Sequence, residues 1–407
     1  MLRVDEKFQS NQEALKWVSW MSFLWATSSL MVFSILPAFL VDELSMGHSK
    51  IGLIEGLAIS SSFLSKFFSG FLSDVFKKRK PLIMVGTILS AITKPMFALC
   101  TGAGMMFGIR FTDRLSKGIR SAPTDALIAD LSESSLYGAN FGLRQAYYTM
   151  GDVTGAVIAM VIMLASDNNY RLVFALSFIP ATLAILILWL KVVPNPLTHP
   201  RTATKFNFKE MRLTDLKEFS PTFWWLMTAF FFLMLARFSE AFLTLKAKDV
   251  GWSVAYLPAL IIIKDLVHAT LSWPAGKYAD KISRTQMLHL GMLLMIGAQG
   301  IMAFAESISG VFLGIILVGL HMGTTQGLLK ALIAQATPAD LRGTAFSIFF
   351  IISGFAIFLG NTIAGSLSQN YGLYATYLGG AGFTLISMLI LYRAFFKAAK
   401  PEAHEGI

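Results

Sequence analysis

Apolar runs of more than 18 residues recur along this chain from near residue 17 to near residue 396. Each run is long enough to cross a bilayer core of about 30 Å as a helix. Among 407 residues, 55% are hydrophobic and only 14% are charged, against about 25% charged in an average soluble domain. Spans are expected at 17–40, 50–73, 81–101, 104–127, 139–165, 170–191, 221–245, 253–276, 285–306, 308–333, 342–368 and 371–396. Twelve spans of about 24 residues leave roughly 120 residues for loops and tails, too few for a separate catalytic domain. The chain is thus expected to be an all-α integral membrane protein, embedded in a lipid bilayer. A cytosolic enzyme, a nucleic-acid-binding module and a disulfide scaffold are excluded.

Charge placement gives the topology. The net charge of +10, from 34 Lys+Arg against 24 Asp+Glu, is a membrane signature and not a nucleic-acid footprint. Alternate loops separate by charge. Lys77, Lys78, Arg79 and Lys80 lie in one set, with Arg201, Lys205, Lys209, Arg212 and Lys217, and with Lys277, Lys281 and Arg284. The other loops are short and weakly charged. Cytoplasmic loops collect Lys and Arg, so both termini are expected in the cytoplasm. The first 16 residues hold Asp5, Glu6 and Glu13 ahead of a long apolar run, which does not read as a cleavable signal. The single Cys100 offers no intrachain disulfide.

The polar stretch 192–220, with Pro194, Pro196 and Pro200, divides the spans six and six. The expected organisation is a six-helix bundle over 1–191, a cytoplasmic linker over 192–220, a second bundle over 221–397 and a tail over 398–407. The halves echo each other. Gly70-Phe71-Leu72-Ser73-Asp74, followed by Lys78, returns 206 positions later as Gly276-Lys277-Tyr278-Ala279-Asp280, followed by Arg284. Ala126-Leu127-Ile128-Ala129 returns at an offset of 205 as Ala331-Leu332-Ile333-Ala334, and Leu136, Gly138 and Phe141 return as Leu341, Gly343 and Phe346. Parallel six-helix repeats are a known transporter design.

These residues carry a resemblance to the major facilitator superfamily over nearly the whole chain. The family's loop between its second and third spans is matched by Gly70, Leu72, Asp74, Lys78, Arg79 and Lys80, although Val75 and Lys77 stand where Arg and Gly are usual. Its fourth-span pattern is matched by Arg114, Gly118 and Ala122. The fifth-span antiporter pattern is half present: Gly151 and Gly155 match, while Ala156, Ala159 and Met160 do not. The resemblance implies the major facilitator fold of two repeated six-helix bundles, transport by alternating access, and a bacterial inner-membrane location. It also implies gate roles for Asp74, Lys78, Arg79, Asp280 and Arg284; the bland reading of the basic cluster is topology alone.

Ionisable residues inside spans cost at least about 2.5–3.5 kcal/mol each at the bilayer centre, so they mark function or pairing. The fourth span holds Arg110, Asp113, Arg114, Lys117, Arg120 and Asp125, and positions 110, 113, 114, 117 and 121 share one face. Lys117, Arg120 and Asp125 are read as a structural ion-pair network. Arg110, Asp113 and Arg114 are read as substrate or coupling residues. Asp152, between Gly151 and Gly155, is a candidate proton carrier, with a local pair to Arg114 as the competing reading. The second half contributes Arg237, Glu240, Lys264, Asp265, His268 and His321. Arg237 and Glu240 could simply pair with each other, and His321 could simply be hydrogen-bonded across helices. Lys94 precedes Pro95, and Glu55 lies near the outer surface.

The mixture of cavity cations and acids leans towards an anionic or zwitterionic solute, such as a carboxylate metabolite or a carboxylate siderophore, moved with protons. The alternative is a multidrug/proton antiporter exporting lipophilic compounds. No His-Glu-x-x-His, Gly-x-Ser-x-Gly or Cys-x-x-Cys motif is present, which argues against an enzyme. No metal or other cofactor is expected, and a monomer is.

Overall fold

The computed structural model describes residues 2–76, 79–132, 137–192, 219–279, 284–337 and 342–396. The expected linker over 192–220 and the tail over 398–407 fall mostly or wholly outside the described residues. The helices are α1 (Leu2–Phe33), α2 (Leu36–Asp42), α3 (His48–Phe76), α4 (Arg79–Ala98), α5 (Ala103–Leu131), α6 (Tyr137–Ala165), α7 (Tyr170–Leu176) and α8 (Phe178–Leu190). They continue as α9 (Pro221–Ala236), α10 (Ala241–Asp249), α11 (Leu257–Ala279), α12 (Arg284–Phe304), α13 (Ile308–Gln335), α14 (Arg342–Tyr371) and α15 (Leu373–Phe396), with a 3₁₀ turn at Val254–Tyr256 before α11. No strand occurs among the described residues.

Among the described residues, ten helical stretches are long and apolar enough to cross a membrane. Both α3 and α5, at 29 residues each, are long enough as well. Their polar content separates them: α3 carries Ser60, Ser61, Ser62, Ser65 and Ser69, and α5 carries the charged stripe. Local chemistry sets several ends. Pro37 opens α2 and Pro221 opens α9, where a missing N–H costs nothing. Ser220 accepts from Phe223 N at 3.2 Å and Asn169 from Leu172 N at 3.1 Å, capping α9 and α7.

The helices form two compact units. In the first, α1 packs along α6, α4 packs on α5, and α8 lies against both α1 and α4. Close approach depends on glycine: a Cβ at Gly151 would stand 2.2 Å from Phe23 O, and one at Gly155 2.3 Å from Thr27 O. Leu15, Val18 and Trp25 meet Ile83, Leu127 and Leu188 in its apolar core. In the second unit α9 packs on α14 and α15, and α12 on α13 and α15. Gly360 touches the backbone of Leu235, where a Cβ would lie 2.4 Å from its carbonyl oxygen.

Each unit also takes one segment from the other half of the sequence. Gly47–Gly56, the start of α3, belongs to the second unit. There a Cβ at Gly52 would fall 2.3 Å from Asn361 O, and one at Gly56 2.9 Å from Phe358 O. Trp252–Ile262 belongs to the first unit, with the 3₁₀ turn on α6.

Three expected spans are broken helices. The first breaks between Phe33 and Leu36, the sixth at Ser177 and the seventh between Ala236 and Ala241. Pro37 explains the first, since it has no N–H to donate to the carbonyl of Phe33 four residues back and its ring crowds that carbonyl. Non-helical backbone at membrane depth must find partners inside the protein. At the seventh-span break Gln299 Nε2 donates to Ala236 O at 3.1 Å, Ser239 N to Asn361 Oδ1 at 2.7 Å, and Tyr377 Oη to Phe242 O at 2.9 Å. Ser28 Oγ donates to Ser177 O at 2.7 Å, satisfying the break between α7 and α8.

Candidate functional site

Phe33 ends α1 at the first break, and three cations surround its ring. Arg110 Cζ lies 4.1 Å from the ring centroid, Arg114 Cζ 4.6 Å and Lys94 Nζ 4.7 Å. A cation over an aromatic face is held by the ring quadrupole, typically by about 0.5–2 kcal/mol. One carboxylate stands with them. Asp113 Oδ1 accepts from Lys94 Nζ at 3.0 Å, Thr93 Oγ1 at 3.1 Å and Ser90 Oγ at 3.3 Å. Lys94 is 0% exposed and Asp113 3%.

The stripe on α5 continues to a second ring. Arg120 Cζ lies 3.0 Å from the Trp25 ring centroid and Lys117 Nζ 5.6 Å. Arg120 is buried, and neither of its terminal nitrogens has a hydrogen-bond partner among the described residues. Asp152 on α6 lies within electrostatic reach of Lys117 and Tyr148. Asp125 pairs with Arg144 on α6. The expected structural network is therefore split: Asp125 takes an acid's part in an ion pair, while Lys117 and Arg120 lie on an aromatic surface. Planar guanidinium forks matched to oxygen pairs are the arrangement suited to a carboxylate.

The second unit has a different balance. Lys264 Nζ on α11 pairs with Glu240, at the start of α10, and lies 3.2 Å from Asp265 Oδ1. Although Asp265 leaves the helix about 100° from Lys264, the flexible lysine stem bends to reach it. Glu240 thus has Lys264 as its ion-pair partner, and the expected local pair with Arg237 is corrected: Arg237 Nη2 reaches Thr325 Oγ1 on α13 at 3.5 Å. The broken backbone between α9 and α10 turns the two side chains apart. His321 Nδ1 is hydrogen-bonded to Gly291 O at 2.8 Å, while its Nε2 has no partner among the described residues. His268 lies one turn along α11 from Lys264, on the same face.

Of the expected gate residues, Lys78 and Asp280 lie outside the described residues, and so do the side chains of Asp74, in α3, and Arg284, at the start of α12. Arg79 is described: its Nε donates to Asp130 Oδ2 at 3.2 Å, linking α4 to the end of α5. No group of three or more His, Cys, Asp or Glu residues is placed to hold a metal among the described residues.

Sequence reading missed the aromatic partners, Phe33 and Trp25, and the hydroxyls of Ser90 and Thr93. It also missed the helix breaks, for which a signal exists. Phe33-Ser34 returns 205 positions later as Phe238-Ser239, and Ala38-Phe39-Leu40 has a near counterpart in Ala241-Phe242-Leu243. Interrupted helices at corresponding places in two repeats are the usual pointer to a transporter's binding region.

The model of the Major Facilitator Superfamily matches residues 18–264 and 241–406. An MFS-type transporter of Methanocaldococcus jannaschii is 28% identical over 384 residues, covering 91% of this chain and 92% of that protein. A gentisate transporter of Corynebacterium glutamicum is 20% identical over 92% of this chain and 85% of its own length. The quinolone resistance protein NorA of Staphylococcus aureus is 28% identical over 57% of each chain. The crystal structure of a point mutant of the nucleoside transporter NupG shares the fold, with a TM-score of 0.77 at 15% identity, over 94% of this chain and all of that one. The chain belongs to the Major Facilitator Superfamily and is a multi-pass membrane transporter, not an enzyme.

Proposed function

We propose that this chain is a secondary active transporter that moves a small organic anion together with protons by alternating access. The observation that carries the reading is the gathering of cations around Phe33: Lys94, Arg110 and Arg114 share one aromatic ring, beside the carboxylate of Asp113. A bound anion gains charge-assisted hydrogen bonds from such a gathering of cations. In this reading Arg110 and Arg114 exchange part of their contact with the ring for charge-assisted hydrogen bonds to a carboxylate. Lys94 stays on Asp113 and fixes α4 to α5. The aromatic ring favours a flat or partly apolar body next to the acid group. Gentisate is a substrate of that description, and a protein named for its transport is among the relatives.

Drug export is the second reading, supported by the likeness to NorA over part of the chain and by the rings of Trp25 and Phe33. Asp74, Lys78, Arg79, Asp280 and Arg284 would serve as the cytoplasmic gate, with both termini on that side of a bacterial inner membrane and the chain acting as a monomer.

The test uses purified protein in vesicles loaded with a pH dye. Carboxylates (gentisate, phthalate, citrate), zwitterionic amino acids and lipophilic cations are added in turn to wild type and to the Asp152→Asn variant. Lumenal acidification on adding a carboxylate, abolished by Arg110→Lys or Arg114→Lys, supports the anion reading. A response confined to lipophilic cations overturns it in favour of drug export. The Asp152 variant reports whether that residue lies on the proton path.

A further inference from the structure

The seventh span is built around a break that carries Arg237 and Glu240. The helix α9 stops at Ala236 and α10 begins at Ala241. Asn361 holds the backbone between them at Ser239, while Gln299 and Tyr377 bond the helix ends on either side, at Ala236 and Phe242. So much dedicated hydrogen bonding makes the break a fixed element of the fold and not a frayed end. It presents Glu240 at the opening of α10, facing Lys264 on α11.

The resulting cluster has one ammonium and two carboxylates. With all three ionised it carries −1. Exposure is asymmetric as well: the Lys264 side chain is 3% exposed, against 20% for Asp265 and 48% for Glu240. The cation is buried while both acids are partly exposed. Two carboxylates sharing one lysine titrate as a unit, and one proton brings that unit to neutrality.

Among the described residues, the other charged groups and histidines in this region are Arg237, His268, His321 and Glu55. Arg237 is turned towards Thr325 on α13. His268 lies on the Lys264 face of α11, and His321 on α13 is within electrostatic reach of Arg237 and His268. Glu55, on the part of α3 that belongs to this unit, accepts from Ser239 Oγ in the break at 3.0 Å. With both histidines neutral, the charges of Arg237, Lys264, Glu55, Glu240 and Asp265 also sum to −1.

We propose that the coupling proton is bound by the Glu240–Lys264–Asp265 cluster at the break between α9 and α10, on elements separate from those that hold the anion. This rests on the reading of the chain as a proton-coupled anion carrier and names the coupling site within it. A proton from water forms one O–H bond on a carboxylate oxygen of Glu240 or Asp265. The other carboxylate keeps its ion pair with Lys264, no further bond breaks, and release is the reverse. The unloaded cluster carries a net charge that needs water, whereas the loaded cluster is neutral and tolerates being closed off from it. That difference ties the proton to the change of access.

The test reads protonation directly and separately from transport. Infrared difference spectra are recorded while reconstituted wild-type protein is taken from neutral to acidic pH. Growth of a protonated-carboxyl band that is lost in Glu240→Gln or in Asp265→Asn, but retained in Asp152→Asn, supports the proposal. A band unchanged in the Glu240→Gln/Asp265→Asn double variant, or lost in Asp152→Asn instead, overturns it. In the flux arm, pH-gradient-driven uptake of radiolabelled phthalate and citrate should fall at least about tenfold in Glu240→Gln, while exchange at equal pH stays within about twofold. Uptake driven by a sodium gradient and indifferent to pH also overturns the proposal. If neither anion binds any variant, the anion reading fails while the infrared band still decides where the proton sits.

Discussion

Replacing Asp113 by Asn removes one charge from the most enclosed ion pair among the described residues and changes little else. Asn keeps a carbonyl oxygen where Asp113 Oδ1 now accepts from Thr93 and Ser90, so the loss is the attraction to the neighbouring cations, Lys94 first and then Arg114 and Arg110. At 3.0 Å and an effective dielectric of 20, the attraction to Lys94 is about 5 kcal/mol. The stranded ammonium keeps its contact with the Phe33 ring at 4.7 Å, and that contact, common to both proteins, cancels in the difference. The expected net loss is about 3–5 kcal/mol, the usual cost of breaking a buried pair from one side. For a chain of this size it lowers the melting temperature by roughly 6–10 °C, taking about 2 °C per kcal/mol. The double variant Lys94→Met/Asp113→Leu removes both charges. Thr93 Oγ1 still donates to Ser90 O at 2.7 Å, and Trp25 Nε1 still donates to Ser90 Oγ at 3.3 Å. It should therefore recover to within about 1 kcal/mol of wild type. The measurement is thermal unfolding in detergent, followed by tryptophan fluorescence at fixed pH and salt. An Asp113→Asn protein melting within about 1 °C of wild type, or a double variant melting as low as the single one, would refute the reasoning.

Three further outcomes are expected. Gly155→Ala drives a methyl to 2.3 Å from Thr27 O and should cost about 1–3 kcal/mol by forcing α1 and α6 apart, whereas Gly108→Ala, with nothing within 4 Å, should stabilise α5 by up to about 1 kcal/mol; comparative thermal melts decide. Arg114→Lys should fold normally by size-exclusion profile and melting temperature yet lose carboxylate uptake at least about tenfold, since an ammonium cannot reproduce a bidentate fork; near-normal uptake would remove Arg114 from the binding role. Asn361→Leu leaves Ser239 N without its acceptor and should cost about 1–3 kcal/mol, seen as a lower melting temperature and faster amide exchange at Ser239.

Much of the architecture could be read before any coordinates. Hydropathy is a property of each segment by itself, and spans followed from it along most of the chain. The breaks at Ser34, Ser177 and Arg237–Ser239 did not follow, because average hydropathy runs straight through them. Only the paired Phe-Ser and Ala-Phe-Leu echoes mark two of the three. The charged stripe on α5 could likewise be read, since 3.6-residue periodicity puts positions 110, 113, 114 and 117 on one face. What the stripe meets could not. Asp113 is paired with Lys94 on α4, and Arg120 lies over Trp25 on α1; periodicity within one helix carries no information about the helix beside it.

The amino-acid sequence by itself therefore determined the solvent this protein folds in, its repeated six-helix plan and its family. Each follows from local apolar length, loop charge and motifs that persist along the chain. Tertiary structure alone decided how the buried charges are compensated. It wraps Lys94, Arg110 and Arg114 around Phe33 beside Asp113, and gives Lys264 two acids at a broken helix. The reason is physical. In a medium that cannot solvate ions, the meaning of a charge is set by the groups within a few ångströms of it, and those groups arrive from other helices.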